Sequence, residues 1–209
     1  MPTETFMNLP VEKKNKLIMA IKKEFARVPY DKVSINKIVQ EADISRGSFY
    51  MYFKDKEDML GFILSKYYQE LIATIKKSSN DHEGDLFAIF RDILRFTADF
   101  GMEEDNIAFC MNIFTSDKVH SCITAELSFR DIKDKNYTWI RPYINSSNLN
   151  INSEEDLYDI LEILISVTQK AVMQLFLHIE ERDKIIKKYD KKIEILKHGM
   201  VKENLWCYL

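Results

Sequence analysis

Two short helices joined by a tight turn are predicted in residues 34–56, where the sequence reads SINKIVQEADISRGSFYMYFKDK. Ser34 is a favourable N-cap for a first helix, whose apolar side chains recur at helical spacing. Asp43 falls at the turn, where a residue that tolerates a left-handed backbone is needed. Ser45 then caps a second helix over about residues 46–53. A helix–turn–helix of this form is a device for placing side chains in the major groove of DNA.

This stretch also carries a family resemblance. Over residues 38–60 the chain reads IVQEADISRGSFYMYFKDKEDML, which closely resembles the signature of TetR-family transcriptional regulators. The upstream residues that fit the first helix of that family are Ile18, Ala20, Phe25 and Tyr30. The resemblance therefore covers about residues 10–64. Two positions depart from it: Asp43 stands where Gly is usual, and Pro29 stands where the preceding loop usually has Gly.

The resemblance implies an all-α fold of about nine helices. An amino-terminal three-helix helix–turn–helix DNA-binding domain would occupy residues 1–54, and a connecting helix would occupy 55–77. A larger helical domain for effector binding and dimerisation would occupy 78–209, after a break at the polar stretch SSNDHEGD. Apolar periodicity agrees with this plan. The helices that it predicts outside the reading segment run over about residues 11–27, 55–77, 86–100, 104–114, 117–142, 153–179 and 181–196.

The second helix of the motif has two predicted faces. Phe49 and Phe53 are four residues apart and are expected to point inward. Arg46 offers a fork that fits guanine O6 and N7, and Gly47 leaves room for close approach to DNA. The candidate DNA-binding residues are Ser34, Lys37, Ser45, Arg46, Gly47, Ser48, Tyr50, Met51, Tyr52, Lys54 and Lys56. The resemblance implies that Tyr50, Tyr52 and Lys56 reach the phosphate backbone. The structural alternatives are packing for the aromatic residues and solvation for the arginine.

Aromatic and other apolar residues of the connecting helix and the larger domain suit a small apolar or aromatic ligand, and equally an ordinary packed core. The candidate pocket residues are Phe62, Tyr67, Phe87, Phe90, Phe114, Phe129, Met173 and Phe176. In TetR-like proteins the last two long helices form a four-helix bundle with those of a second subunit. The candidate dimer-interface residues are Leu157, Ile160, Leu164, Val167, Ala171, Leu175, Ile186, Tyr189 and Ile193. A wholly intramolecular core is the alternative.

The charge of the chain is divided unevenly. The net charge is −3, but residues 1–60 hold 11 Lys/Arg and 9 Asp/Glu, a balance of +2, whereas residues 61–209 hold 19 and 24, a balance of −5. A small basic head is compatible with DNA binding because the local field governs phosphate contact. No apolar run approaches the ~18 residues of a membrane span, and no signal peptide is visible. We therefore expect a cytoplasmic protein with no membrane partner.

The sequence contains no recognisable catalytic or metal-binding pattern. We find no Ser-His-Asp arrangement, phosphate-cradling loop, HExxH or paired-cysteine motif, so we expect neither an enzyme nor a cofactor or metal. His82, His120, His178 and His198 lie far apart in sequence. The cysteines are Cys110, Cys122 and Cys207, an odd number for which three reduced thiols are the default in the cytosol.

The function that the resemblance implies is sequence-specific transcriptional regulation. We expect a homodimer that binds a palindromic operator as a repressor and is released by a small-molecule ligand in the carboxy-terminal domain. The first alternative is a ligand-independent DNA-binding protein regulated by a protein partner. A ligand carrier that has lost DNA binding is a second alternative, which the intact segment 46–56 disfavours.

Overall fold

The computed structural model describes residues 2–102, 106–116, 137 and 139–201. In these ranges the chain has no β-strand. Its α-helices are α1 (Glu4–Met7), α2 (Val11–Arg27), α3 (Ile35–Ala42), α4 (Arg46–Tyr52), α5 (Lys56–Asp81), α6 (Leu86–Met102), α7 (Ile107–Phe114), α8 (Glu154–Leu177) and α9 (Arg182–Met200). The prediction of an all-α chain with about nine helices is confirmed.

The described residues form two compact units. One contains residues 2–69 and 100–116, and the other contains residues 70–99, 137 and 139–201. The first unit thus holds α1 to α4, the first half of α5, and α7. The second unit holds the rest of α5, most of α6, and α8 and α9. The long helix α5 therefore contributes residues to both units, and the assignment of domain roles to residue ranges stays a prediction.

The ends of several helices differ from those predicted. The connecting helix does not end at residue 77 but continues to Asp81. Ser78 in this extension is buried and donates a 2.6 Å hydrogen bond to Asp92 Oδ2, which satisfies its hydroxyl. The turn is shorter than predicted and uses a left-handed backbone at Glu83 and Gly84. Most of the helix predicted over residues 117–142 lies outside the described residues, and 141–143 form a 3₁₀ turn. Helix α1 was not predicted.

Helix α2 forms the centre of the first unit. Its inward face, which includes the fully buried Phe25, packs against α3 on one side and α7 on the other. Phe109 of α7 lies edge-on to Phe25, with ring centroids 6.1 Å apart. Asn112 Nδ2 donates to the carbonyl oxygens of Phe25 and Ala26 at 2.9 and 2.8 Å. Because the last carbonyls of a helix have no partner within it, Asn112 completes the end of α2.

A buried carboxylate joins α2 to the start of α3. Glu24 is 4% exposed and accepts two hydrogen bonds from the Arg27 guanidinium, both at 2.7 Å. It also accepts one at 3.0 Å from the backbone N–H of Ser34, the N-cap residue of α3. The hydrogen bond from Arg27 above all holds the pKa of Glu24 below its ordinary value of 4.5, although burial opposes this shift.

This arrangement predicts a specific acid sensitivity. A carboxylate whose pKa is lowered by folding stabilises the fold above its unfolded pKa, and that contribution is lost as the pH falls through the folded value. We expect the free energy of unfolding to fall more steeply below pH 4.5 in the wild type than in Glu24→Gln, which cannot take up this proton. Urea titrations at neutral pH and at about pH 3.5 measure the difference. Glu12→Gln, an exposed position on α2, is the control; equal acid slopes for the wild type and Glu24→Gln would contradict the assignment.

In the second unit, ion pairs align α6 and α9 in opposite directions. Their partners are Asp85 with Lys197, Arg91 with Glu194, Arg95 with Asp190, and Asp99 with Arg182. Tyr189 of α9 lies in the buried layer beneath this row. Its hydroxyl donates to the Phe90 carbonyl at 3.1 Å and lies 2.7 Å from Thr168 Oγ1 of α8. Burial raises the pKa of Tyr189, so the hydroxyl stays neutral.

Helix α8 is a long apolar helix of the second unit. Ser153 and Asp156 form a capping box at its start. Of the helices in the described ranges, α8 has the length and composition of a membrane span, with 44% of the relevant window buried. The core helix of a soluble protein passes the same test. The fully buried Leu161 and Leu164 show that one face of α8 belongs to the core.

Candidate DNA-binding surface

The turn between α3 and α4 has the predicted geometry. Asp43 adopts a left-handed backbone, with φ 55° and ψ 49°. The N–H of Ile44 donates to the carbonyl of Val39 at 3.0 Å, which closes the end of α3. Ser45 Oγ accepts a 3.0 Å hydrogen bond from the N–H of Ser48 and caps α4. The predicted helix–turn–helix is confirmed.

Helix α4 separates an anchoring face from an exposed face. Phe49 and Phe53 are fully buried, as predicted, with ring centroids 5.7 Å apart. Tyr50 and Met51 are 47% and 59% exposed. Tyr52 is half-buried, and its ring centroid lies 6.1 Å from that of Phe6. The exposed face is therefore presented by a helix whose other side is fixed in the core.

Arg46 is exposed but held in place by two polar neighbours. Its Nη1 donates to Asn36 Oδ1 at 3.1 Å, and its Nη2 donates to the Tyr50 hydroxyl at 3.3 Å. The guanidinium carbon also lies 5.8 Å from the Tyr50 ring centroid. The sequence reasoning missed Asn36, although an exposed amide in the first turn of α3 is a signal that it could have used. Side chains of Arg and Asn are the usual partners of guanine and adenine edges.

The remaining DNA-binding candidates differ in their exposure and in their hydrogen bonds. Lys37 and Lys54 are exposed. Lys56 is half-buried, and its Nζ donates to the Tyr30 carbonyl at 2.9 Å and lies 4.3 Å from that ring centroid. Ser34 occupies the N-cap of α3, but its hydroxyl makes no capping hydrogen bond, contrary to expectation. Contact of each of these residues with DNA stays a prediction.

Gly47 lies on the exposed side of α4, and the fold does not require its lack of a side chain. Within the described part of the chain, a Cβ there would meet only Ser45 Oγ, at an ordinary 3.7 Å. We expect Gly47→Ala to stabilise the fold by about 0.5–1 kcal/mol, because Ala favours a helix. We expect the same change to weaken DNA binding roughly tenfold, because the methyl group intrudes where the backbone approaches DNA. Urea denaturation and a DNA titration measure the two effects.

Gly199 provides the matched control for that variant. It lies near the end of α9, and among the described residues a Cβ there would meet nothing within 4 Å. Gly199→Ala is expected to share the gain in stability and to leave DNA affinity unchanged. If Gly47→Ala binds DNA as tightly as the wild type, the backbone of α4 does not approach DNA closely.

The residues predicted at the dimer interface are mostly buried within a single chain. Those with relative exposures of 7% or less are Leu157, Ile160, Leu164, Ala171, Leu175, Tyr189 and Ile193. Val167 and Ile186 are half-buried. These side chains pack in the core of the second unit, because the apolar faces of α8 and α9 that they form are turned inward. The large apolar side chains that α8 and α9 expose are instead Ile163, Leu177 and Ile195, at 42%, 53% and 64%.

The predicted pocket residues do not form one group. Phe62, Tyr67 and Phe114 belong to the first unit. Phe87, Phe90, Met173 and Phe176 belong to the second, and Phe129 lies outside the described residues. A cavity of about 390 Å³ lies at the α5–α6 turn of the second unit. Its lining is mainly polar and includes Lys197, Asn145 and His82, with Phe87 as its one member of the predicted set.

The described residues contain no group of three or more His, Cys, Asp or Glu side chains that could hold a metal ion. Cys110 is fully buried in α7. Cys122, Cys207 and His120 lie outside the described residues.

An exposed α4 fixed across a left-handed turn to α3 defines a helix–turn–helix protein of the DNA-binding class. Residues 17–61 match the family model for bacterial regulatory proteins of the tetR family. Residues 85–200 match the model for the tetracyclin repressor-like C-terminal domain. The chain belongs to the TetR family. Members of this family are DNA-binding transcriptional regulators that act as dimers, and they are not enzymes.

Similarity to individual proteins agrees with the family. The uncharacterized HTH-type transcriptional regulator YuxN of Bacillus subtilis (strain 168) is 38% identical over 64 residues, which are 31% of this chain and 22% of that protein. The HTH-type transcriptional regulator SAB2452 of Staphylococcus aureus (strain bovine RF122 / ET3-1) is 22% identical over 101 residues, 48% of this chain and 54% of that protein. The matches thus span about half or less of these relatives.

Solved structures share the fold. SmeT, the repressor of the Stenotrophomonas maltophilia multidrug efflux pump SmeDEF, has a TM-score of 0.59 at 13% identity, covering 95% of this chain and 94% of its own. A TetR-family transcriptional regulator from Pectobacterium atrosepticum has a TM-score of 0.55 at 16% identity, covering 96% and 98%. At these identities the likeness shows the fold alone.

Proposed function

We propose that this chain is a dimeric, sequence-specific DNA-binding repressor that reads its operator through α4. The observation that carries the proposal is the arrangement of Arg46, which is exposed yet oriented by Asn36 and Tyr50. A base-reading side chain has to be accessible and positioned, and an arginine fork is the commonest reader of guanine. Around it, Lys37 and Lys54 are exposed cations suited to phosphate contact.

For the dimer, we propose an interface on the exposed faces of α8 and α9. These helices run antiparallel, because a bridge joins Leu149, in the loop that leads into α8, to Val201, the residue after α9. The start of α8 exposes Glu155, Asp159 and Glu162, whereas the first half of α9 exposes Lys184, Lys187, Lys188 and Lys191. The acidic and basic patches therefore lie at opposite ends of the helix pair. A two-fold axis perpendicular to the pair brings the acidic end of one subunit onto the basic end of the other.

We further propose that a small molecule bound in the carboxy-terminal domain releases the repressor from DNA. Two features support a path for this signal. Helix α5 contributes residues to both units, and α7, which directly follows α6, packs on α2 and completes its end through Asn112. A ligand that favours one position of these helices would shift the population away from the DNA-binding state. The aromatic core residues favour an apolar or aromatic ligand, whereas the lining of the cavity near Lys197 favours a small polar one.

A titration of the protein with a fluorescent duplex tests this proposal. The duplex is one recovered by selection from random DNA, and a panel of apolar, aromatic and small polar compounds is then added. Release of the duplex by one compound, with a matching rise in the melting temperature of the free protein, supports ligand control. A salt-sensitive complex that no compound releases favours the alternative, in which a protein partner regulates the chain.

A further inference from the structure

The end of helix α4 needs partners from elsewhere in the chain. The helix has only seven residues, and the chain leaves it in an extended conformation at Phe53. The last carbonyls of any helix have no partner within it, and a helix this short is not stable alone. The exposed Tyr50 and Met51 lie in this final turn. Fraying of the turn would move two of the side chains that face outward.

The amino terminus supplies those partners. The hydroxyl of Thr3 donates to the Met51 carbonyl at 2.6 Å, and the N–H of Thr3 donates to the Tyr52 carbonyl at 3.0 Å. Thr3, far away in sequence, therefore donates hydrogen bonds to two of the carbonyl oxygens at the end of α4. Thr3 is also the N-cap of α1, because its hydroxyl accepts from the Phe6 N–H at 3.4 Å.

Helix α1 is held against α4 by an aromatic cluster. Phe6 is fully buried, and its ring centroid lies 5.1 Å from that of Phe53 and 5.0 Å from that of Phe62. The ring centroid of Tyr52 lies 6.1 Å from that of Phe6. Aromatic pairs at these distances contribute beyond the area that they bury. The cluster thus fixes Thr3 opposite the end of α4.

We propose that residues 2–9, the amino-terminal arm, act as a cap from outside the helix that positions α4 for DNA recognition. Thr3 and Phe6 are positioning residues: Thr3 closes the last turn of α4, and Phe6 holds Thr3 in place. Neither contacts DNA. This inference rests on the proposed function, since it takes α4 as the reading helix.

The test compares Thr3→Val with Thr3→Ser and Met7→Ala. Valine keeps the shape of threonine but removes the hydroxyl, serine keeps the hydroxyl, and Met7 is a 56% exposed residue of the same arm. We expect Thr3→Val to bind the selected duplex about fivefold more weakly, as the loss of one hydrogen bond predicts. Thr3→Ser and Met7→Ala should bind like the wild type. The free energy of global unfolding should fall modestly in Thr3→Val, because the hydrogen bonds of the Thr3 hydroxyl are lost from the folded state, and should change little in the two control variants.

Amide hydrogen exchange provides a readout that does not depend on DNA. In Thr3→Val the amides of the last turn of α4 should exchange faster than in the wild type, while those of α2 stay unchanged. Phe6→Ala should have the larger effect on both readouts. If Phe6→Ala does not fold, Thr3→Val still tests the inference. If the wild type selects no duplex, the proposed function fails, whereas faster exchange at the end of α4 still supports the cap.

Two results would overturn the inference. The first is wild-type exchange and wild-type affinity in Thr3→Val. The second is a loss of affinity in Thr3→Val with wild-type exchange at the end of α4, because that pattern would mean that Thr3 acts on DNA directly and not by capping the helix.

Discussion

Replacement of Arg46 by alanine is expected to lower DNA affinity by roughly 10- to 100-fold and to relax the sequence preference at one position of each half-site. A bidentate arginine–guanine pair contributes about 1–3 kcal/mol of discrimination, which corresponds to these factors. The fold should be unaffected, because Arg46 is exposed and its hydrogen bonds to Asn36 and Tyr50 lie at the surface. Titrations of the variant against the selected duplex and against single-base substitutions measure both effects.

Two further variants separate base reading from simple charge. Arg46→Lys retains the positive charge but not the planar guanidinium fork. Compared with Arg46→Ala, it should therefore restore non-specific DNA binding but not the sequence preference at that position of the half-site. Asn36→Ala should weaken specific binding by a smaller factor, because the guanidinium loses one orienting bond. Unchanged affinity and unchanged preference in Arg46→Ala would refute the role assigned to α4.

Replacement of Ile163 by aspartate is expected to convert the dimer into folded monomers. Ile163 is 42% exposed on α8, so a single chain can fold with a charge there. In the proposed dimer the same charge would be buried without a partner, which predicts a rise in the dimer dissociation constant of roughly 100-fold or more. Loss of the dimer should also abolish tight binding to a paired site. Analytical ultracentrifugation measures the oligomer, and circular dichroism measures the fold.

Ile107 supplies the matched control. It is 38% exposed on α7, so Ile107→Asp introduces the same charge at a similarly exposed isoleucine outside the proposed interface. That variant should remain dimeric. A dimer that persists in Ile163→Asp, or monomers in both variants, would show that the subunits do not meet through this face of α8.

The DNA-reading half of the molecule was largely readable from sequence because its signals are local. Asp43 at the turn, Ser45 as a cap and Phe49 and Phe53 as inward residues each follow from spacing and backbone preference over a few residues. The contacts that were missed join residues far apart in the chain. Thr3 bonds Met51, and Asn112 bonds Phe25. No periodicity within one element predicts a partner of that kind.

The carboxy-terminal half shows a different limit of sequence reasoning. Apolar residues at helical spacing correctly predicted α8. The same spacing does not distinguish a helix face that packs on its own chain from one that packs on a second chain. The structure buries Leu164 and Ala171 within the chain and leaves Ile163 exposed beside them. Aromatic content likewise did not separate pocket from core: Phe62 packs with Phe6 and Phe53 in the first unit.

Selection of bound duplexes from a random DNA pool at near-physiological salt tests the central claim most directly. The account predicts a palindromic site whose half-sites are read by two copies of α4, as expected for a helix–turn–helix dimer. The selection is repeated with protein that has been unfolded, washed and refolded, which removes any bound ligand. A folded dimer that enriches no sequence under either condition would contradict the account.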